Sequence, residues 1–109
     1  MKKIHLQLNQ KDKTTLNENV YTDFSNDVYF LMQSLYGPEA AGMNTKLSLA
    51  GSQNQIISFF AALQSEKKYM DSYIKHGLNG GQTINSRYQL QDAVKKFEFE
   101  TGLRWPFEH

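Results

Sequence analysis

Histidines, carboxylates and serines at turn positions are the residues of this chain whose types could do chemistry. A near-neutral imidazole can move protons or hold a metal ion, and the 109-residue chain has three, His5, His76 and His109. No two stand at the i, i+4 spacing of a helical ligand pair, and none adjoins a plausible nucleophile. His76 sits in a helix's last turn, where the dipole favours positive charge. Paired with Asp71 it gives the one enzymatic reading worth stating, ranked last. Glu98 and Glu100 project to different sides of a helix. Asp23 and Asp27 share a potential helix start, where negative charge is favourable in any case. Neither pair has the geometry of general acid–base catalysis. The absence of cysteine removes disulfides, thiolate catalysis and thiolate-bound zinc. These residues predict no catalytic, cofactor or metal site.

A strand feeding a helix through Leu49-Ala50-Gly51-Ser52 has the outline of a phosphate cradle. It lacks the glycine spacing that makes several backbone amides converge, so Ser52 reads as a helix N-cap. Lys67, Lys68, Lys75, Arg87, Lys95, Lys96 and Arg104 interleave with Tyr69, Tyr73, Tyr88, Phe97 and Trp105, as on a nucleic-acid-binding surface. Acids at helical spacing are expected to neutralise much of that charge: Asp71 with Lys75, Asp92 with Lys96, Lys96 with Glu100, Glu98 with Lys95. The net charge is only +1, and neither half of the chain is strongly polarised.

These side chains would be carried by one domain spanning residues 1–109, long enough to bury a core. A composition 39% hydrophobic and 13% aromatic is not that of a disordered chain. There is no signal-like apolar run at the start, and no segment approaches the ~18 apolar residues of a membrane span. The expectation is a soluble, cytoplasmic protein without a membrane partner.

Lys46 to Leu78 organises the chain. Leu47 and Leu49 alternate with polar neighbours as a short strand; Gly51 permits a sharp turn. Ser52 and Gln55 form a capping box, and a helix runs from Gln53 to His76, about 36 Å at 1.5 Å per residue. Ile56, Phe59, Phe60, Leu63, Met70 and Ile74 make its apolar stripe; Gly77 and Leu78 read as a Schellman ending. Upstream, Ile4, Leu6 and Leu8 predict a second strand. Asn9 to Lys13 reads as a turn, and Thr14 to Tyr21 as a possible antiparallel return.

Tyr21 to Gly37 reads as a helix, with Thr22 or Ser25 as cap and Phe24, Val28, Leu31 and Leu35 inward. A buried strand at Val28 to Met32 is the alternative. Glu39 to Asn44 is a loop. After the flexible Asn79-Gly80-Gly81-Gln82, Ser86 and Gln89 repeat the capping box. They open a helix from Arg87 to about Thr101, with Leu90, Ala93, Val94 and Phe97 inward and Gly102-Leu103 as its stop. The expected fold is α+β: a small, mainly antiparallel sheet of two to four strands packed on two or three helices.

Two irregularities locate a surface. Lys67 interrupts the long helix's apolar stripe, with Tyr69 and Tyr73 flanking it. Tyr88 and Phe99 lie opposite the last helix's stripe, either covered by Trp105 and Phe107 or open to a partner. The apolar tail itself is expected to dock. The contact surface assigned from these residues is Lys67, Tyr69, Tyr73, Tyr88, Phe99 and Trp105. The run FEFETGLRWPFEH is distinctive without naming a function. A small chain of uncommitted site chemistry resembles accessory proteins of phages and mobile elements, which often bind a host protein. The leading expectation is a non-catalytic interaction module whose partner is another protein or a second copy. The alternative is a nucleic-acid binder using Lys67, Lys68, Lys75, Arg87 and Arg104.

Overall fold

A computed structural model describes residues 2–8, 18–36 and 45–107. Their order is β1 (Lys2–Gln7), α1 (Glu18–Tyr36), β2 (Thr45–Ala50), α2 (Gln53–His76) and α3 (Gly81–Thr101). This is the α+β domain expected, a small sheet against three helices.

The sheet has two strands, and they run parallel, with Ile4 beside Leu47 and Leu6 beside Leu49. The expectation of a mainly antiparallel sheet is corrected here. An antiparallel pair can be joined by a short turn, whereas a parallel pair needs a crossover that carries the chain back to its starting end. α1 supplies that crossover. It begins at Glu18, so Val20 and Tyr21 of the expected return strand are helical; Asn9 to Asn17, including Leu16, lie outside the described residues. The alternation in β1 is as read. Ile4, Leu6 and Leu8 are buried, with Lys3, His5 and Gln7 exposed between them.

The segment Val28 to Met32 is helix, not strand. α1 turns Phe24, Val28, Leu31 and Met32 into the core, and Thr22 and Ser25 fall inside it instead of capping it. Leu35, expected inward, is half exposed. The helix ends at Tyr36; the loop expected over residues 39–44 lies outside the described residues.

α2 has the expected limits, and its capping box is formed. The Gln55 amide donates to Ser52 Oγ at 3.2 Å, while the Ser52 amide donates to Gln55 Oε1 at 2.8 Å. Gly51 matters through proximity: a Cβ there would stand 2.7 Å from Gln55 Oε1 and 3.1 Å from the Leu8 side chain. The Gln55 side chain also donates to the Glu100 carbonyl at 3.0 Å, fastening the start of α2 to the end of α3.

α3 starts six residues before the expected Arg87, behind Gly80 as N-cap. Ser86 is therefore not a cap. It is buried within the helix, its hydroxyl 3.1 Å from that of Ser72, while the Thr83 hydroxyl donates to the Ser72 carbonyl at 2.9 Å. α2 and α3 thus form an antiparallel hairpin. Thr83, Ser86, Leu90, Ala93 and Phe97 face α2 with the alternating three-and-four spacing of a helix-packing seam. At the turn end the seam is built of small polar residues, which let the backbones approach; towards the base it becomes apolar.

The two glycine endings differ. Gly102 is left-handed (φ 75, ψ 2), and Leu103 after it is buried, as expected. Gly77 has a positive φ of 77 with ψ 172, outside the left-handed well, and Leu78 is exposed instead of closing the ending with an apolar contact. In the core, Phe97 meets Phe24 at 5.9 Å and Phe59 at 6.0 Å between ring centroids.

Candidate functional site

Trp105 determines where a working surface can form. Its ring packs edge-on against Phe97 (5.2 Å) and Phe59 (6.2 Å), and its indole N–H donates to Glu66 Oε1 at 2.9 Å. Its backbone N–H donates to Glu98 Oε2 at 2.8 Å. Glu66 and Trp105 are both buried, at 3% and 4% exposure. A buried carboxylate needs such a donor. Trp105 is consequently a core residue and leaves the contact surface assigned from the sequence. Beyond it, Phe107 packs edge-on against Tyr29 at 4.6 Å, and the Tyr29 hydroxyl donates to the Pro106 carbonyl at 3.2 Å. The tail docks, as its apolar character implies.

Docking of the tail closes one end of an apolar groove. Tyr29, Met32, Gln33 and Tyr36 of α1, Met70 and Ile74 of α2, and Phe107 line a volume of about 520 Å³. A second, shallower hollow of about 320 Å³ continues it along α2 between Tyr69, Met70, Tyr73 and Ile74. In this half of α2 the apolar stripe stays open, with Met70 39% and Ile74 79% exposed. Met70 and Ile74, which the sequence places on the apolar stripe, line this open surface and are not part of the buried cluster. The first half of the stripe is also rotated. Phe59 and Leu63 are buried, but Phe60 is partly exposed, and Gln55, Ser58 and Ala62 are buried where α3 lies against them.

Of the six expected contact residues, three belong to this region. Tyr69 and Tyr73 line the hollow with their rings 6.5 Å apart. Lys67 stands at its border, with its Nζ 5.4 Å from the Tyr36 ring centroid and in an ion pair with Asp71 of the same helix. Tyr88 and Phe99 are exposed, at 58% and 68%, and the tail does not cover them. Neither lines the groove, and eleven residues of helix, about 16 Å, separate them. The groove residues the sequence reading missed are Tyr29, Met32, Gln33, Tyr36 and Phe107. Their signal was the surplus of apolar residues around α1, more than one buried face can use.

The expected ion pairs rearrange. Asp71 pairs with Lys67 and not with Lys75, and Glu98 receives the Trp105 amide instead of Lys95. Among the described residues, Lys67–Asp71 is the ion pair formed, so the charges of Lys95 and Lys96 are less masked than their spacing implied.

The chemical candidates do not assemble. His5, Asp23 and Asp27 border a crevice beside β1, and no three His, Asp or Glu side chains gather as a metal-binding group among the described residues. His76 and Asp71 are both exposed, and Asp71 is held by Lys67. His109 lies outside the described residues. No described helix is long and apolar enough to cross a membrane. Compared with known proteins, the chain matches no family model, no curated protein and no solved structure.

Proposed function

We propose that the protein is a non-catalytic interaction module, and that it binds other protein surface through the groove between α1 and the second half of α2. The observation that carries this reading is the continuity of the exposed apolar surface from Tyr29 through Met70 to Tyr73 and Ile74. Monomeric proteins seldom leave contiguous apolar patches of more than a few hundred Å² open, and larger ones mark binding sites. The groove is walled by two helices and a docked tail, each tied into the core, so it is formed before any partner arrives. A preformed site avoids part of the ordering cost of association. Its aromatic and methionine lining is of the kind enriched at interface centres.

A photo-cross-linking residue at position 74 tests the reading in the native host, with the same residue at position 88 as control. Protein adducts are expected from 74 and not from 88. Equal adducts from both positions, or none from 74, would remove the groove as the working surface.

A second reading is favoured by one observation: among the described residues, no acid pairs with Lys95 or Lys96 on α3. With Lys75 and Arg104 they are exposed and cationic, and a nucleic acid would engage them through its phosphates. Filter binding at two salt concentrations distinguishes it, since such affinity must fall steeply as salt rises.

A further inference from the structure

We infer that a polar pocket along one edge of the α2–α3 hairpin is a binding site for an oxyanion, the phosphate or carboxylate group of a small ligand. Lys68 and Ser72 of α2 and Gln82, Asn85, Ser86 and Gln89 of α3 line a volume of about 270 Å³. The pocket shares no lining residue with the groove and does not depend on the groove reading. Its size lies at the small end of ligand sites, suited to a headgroup or a small metabolite and not to a segment of protein.

Every lining side chain is polar and none is acidic, so the balance of hydrogen-bond donors and acceptors decides what fits. The Lys68 ammonium donates to Gln89 Oε1 at 3.2 Å, and no acid pairs with it among the described residues. Lysine can only donate, so this bond holds the Gln89 amide with its oxygen towards the lysine. The Gln89 nitrogen, with two protons to give, is what remains for a ligand. Deeper in the pocket, the Ser72 and Ser86 hydroxyls lie 3.1 Å apart, and Ser86 is 3% exposed. Each hydroxyl carries one proton, so the bond between them uses one and leaves the other. That second proton has no acceptor among the described residues, although a buried donor needs one. Asn85 and Gln82, one and two turns before Gln89 on α3, add two further amides with no hydrogen-bond partner among the described residues.

The surplus of donors selects against a metal cation, which would want carboxylate oxygens that this lining lacks. An oxyanion takes the ammonium, amide and hydroxyl protons together, and its charge makes those bonds about twice as strong as bonds to a neutral acceptor. The nearest acids along the two helices do not compete. Asp71 is engaged by Lys67, and Asp92, one turn after Gln89 on α3, does not line the pocket. Lys75, two turns after Lys68 on the same side of α2, adds a second positive charge beyond the far end.

NMR titration of the isotope-labelled full chain with inorganic phosphate, and separately with acetate, tests the inference at constant ionic strength. The side-chain amides of Gln82, Asn85 and Gln89 report on the pocket. At least one anion is expected to saturate these signals with a Kd of about 1 mM or tighter, and the tighter of the two identifies the group bound. Lys68→Met should weaken binding at least about 10-fold, the loss of one charge-assisted hydrogen bond. Gln89→Leu should weaken it about 5-fold, the loss of a bond from a neutral donor. Lys95→Met, at an exposed lysine outside the pocket, should leave binding unchanged and controls for general surface charge. Circular dichroism should show all three variants folded, because all three positions are exposed. Shifts that fail to saturate by ~10 mM of either anion overturn the inference. So does an affinity indifferent to Lys68→Met, or one equally weakened by Lys95→Met. Cross-linking from position 74 is independent of these results, so the pocket and the groove stand or fall separately.

Discussion

Replacing Trp105 should both destabilise the protein and open the end of the groove. The magnitude can be apportioned from its contacts. Truncation to alanine deletes a ring packed against Phe59, Phe97 and Phe107, and large-to-small changes at such a buried aromatic cost ~3–5 kcal/mol. Trp105→Phe keeps most of the ring but removes the indole N–H, leaving Glu66 without that donor. Loss of one donor to a buried acceptor costs up to ~1–3 kcal/mol, which bounds the expected penalty of the smaller change. Glu66→Gln retains an oxygen that can accept the bond and should cost less than Glu66→Leu.

Urea unfolding of Trp105→Phe, Glu66→Leu and the double variant then forms a cycle. The double variant should lose less than the sum of the two single losses, by about 1 kcal/mol or more, because donor and acceptor of the one bond are removed together. Set against a total of about 5–15 kcal/mol for a domain of this size, the alanine variant should be marginal at 37 °C. A Trp105→Ala cost below about 1 kcal/mol would mean that the tail is not docked, and the wall formed by Phe107 would go with it.

Three further expectations concern local features. Ser52→Ala should cost about 1 kcal/mol through loss of the capping box, read as a lower urea midpoint with unchanged slope. Gly102→Ala should cost ~1–2 kcal/mol, since its left-handed backbone crowds a Cβ, and thermal unfolding would measure it. Tyr88→Ser and Phe99→Ser should each stay within about 0.5 kcal/mol of wild type. Unfolding by either change would place those aromatics in the core and contradict their exposure.

How far the sequence discloses this fold depends on what each element packs against. β1 and α2 are legible because one signal suffices: strict alternation in Ile4, Leu6 and Leu8, and a capping box at Ser52. The start of α3 is not. Thr83 and Ser86 face another helix at close range, and short hydroxyl side chains in such a seam look like turn and cap residues in the sequence. Strand direction is illegible for a different reason. It depends on the connection between β1 and β2, and with Glu18–Tyr36 helical within that connection, β2 pairs parallel to β1. The groove was half visible. Tyr69, Tyr73 and Lys67 stood out as flanking a stripe. Met70 and Ile74 fall on the apolar stripe, but periodicity reports which side of a helix is apolar, not whether that side is buried. Trp105 was misplaced on the surface because its anchor, Glu66, is a charged residue that hydropathy counts as exposed.

The parallel sheet also imposes an order on events during synthesis. Each residue of β1 pairs with one 43 positions later, from Lys2 with Thr45 to Gln7 with Ala50. The cluster that finally covers its apolar face draws on Phe59, Phe97 and Trp105. β1 must therefore leave the ribosome unpaired and wait until Trp105 has followed, while the α2–α3 hairpin can close on local contacts. A waiting strand of alternating Ile and Leu is a template for aggregation. Lys3 and Lys46 sit side by side on the exposed face of the finished sheet, a like-charge pairing that gives up some strand affinity. During that interval the same two charges work against nascent strands joining those of neighbouring chains.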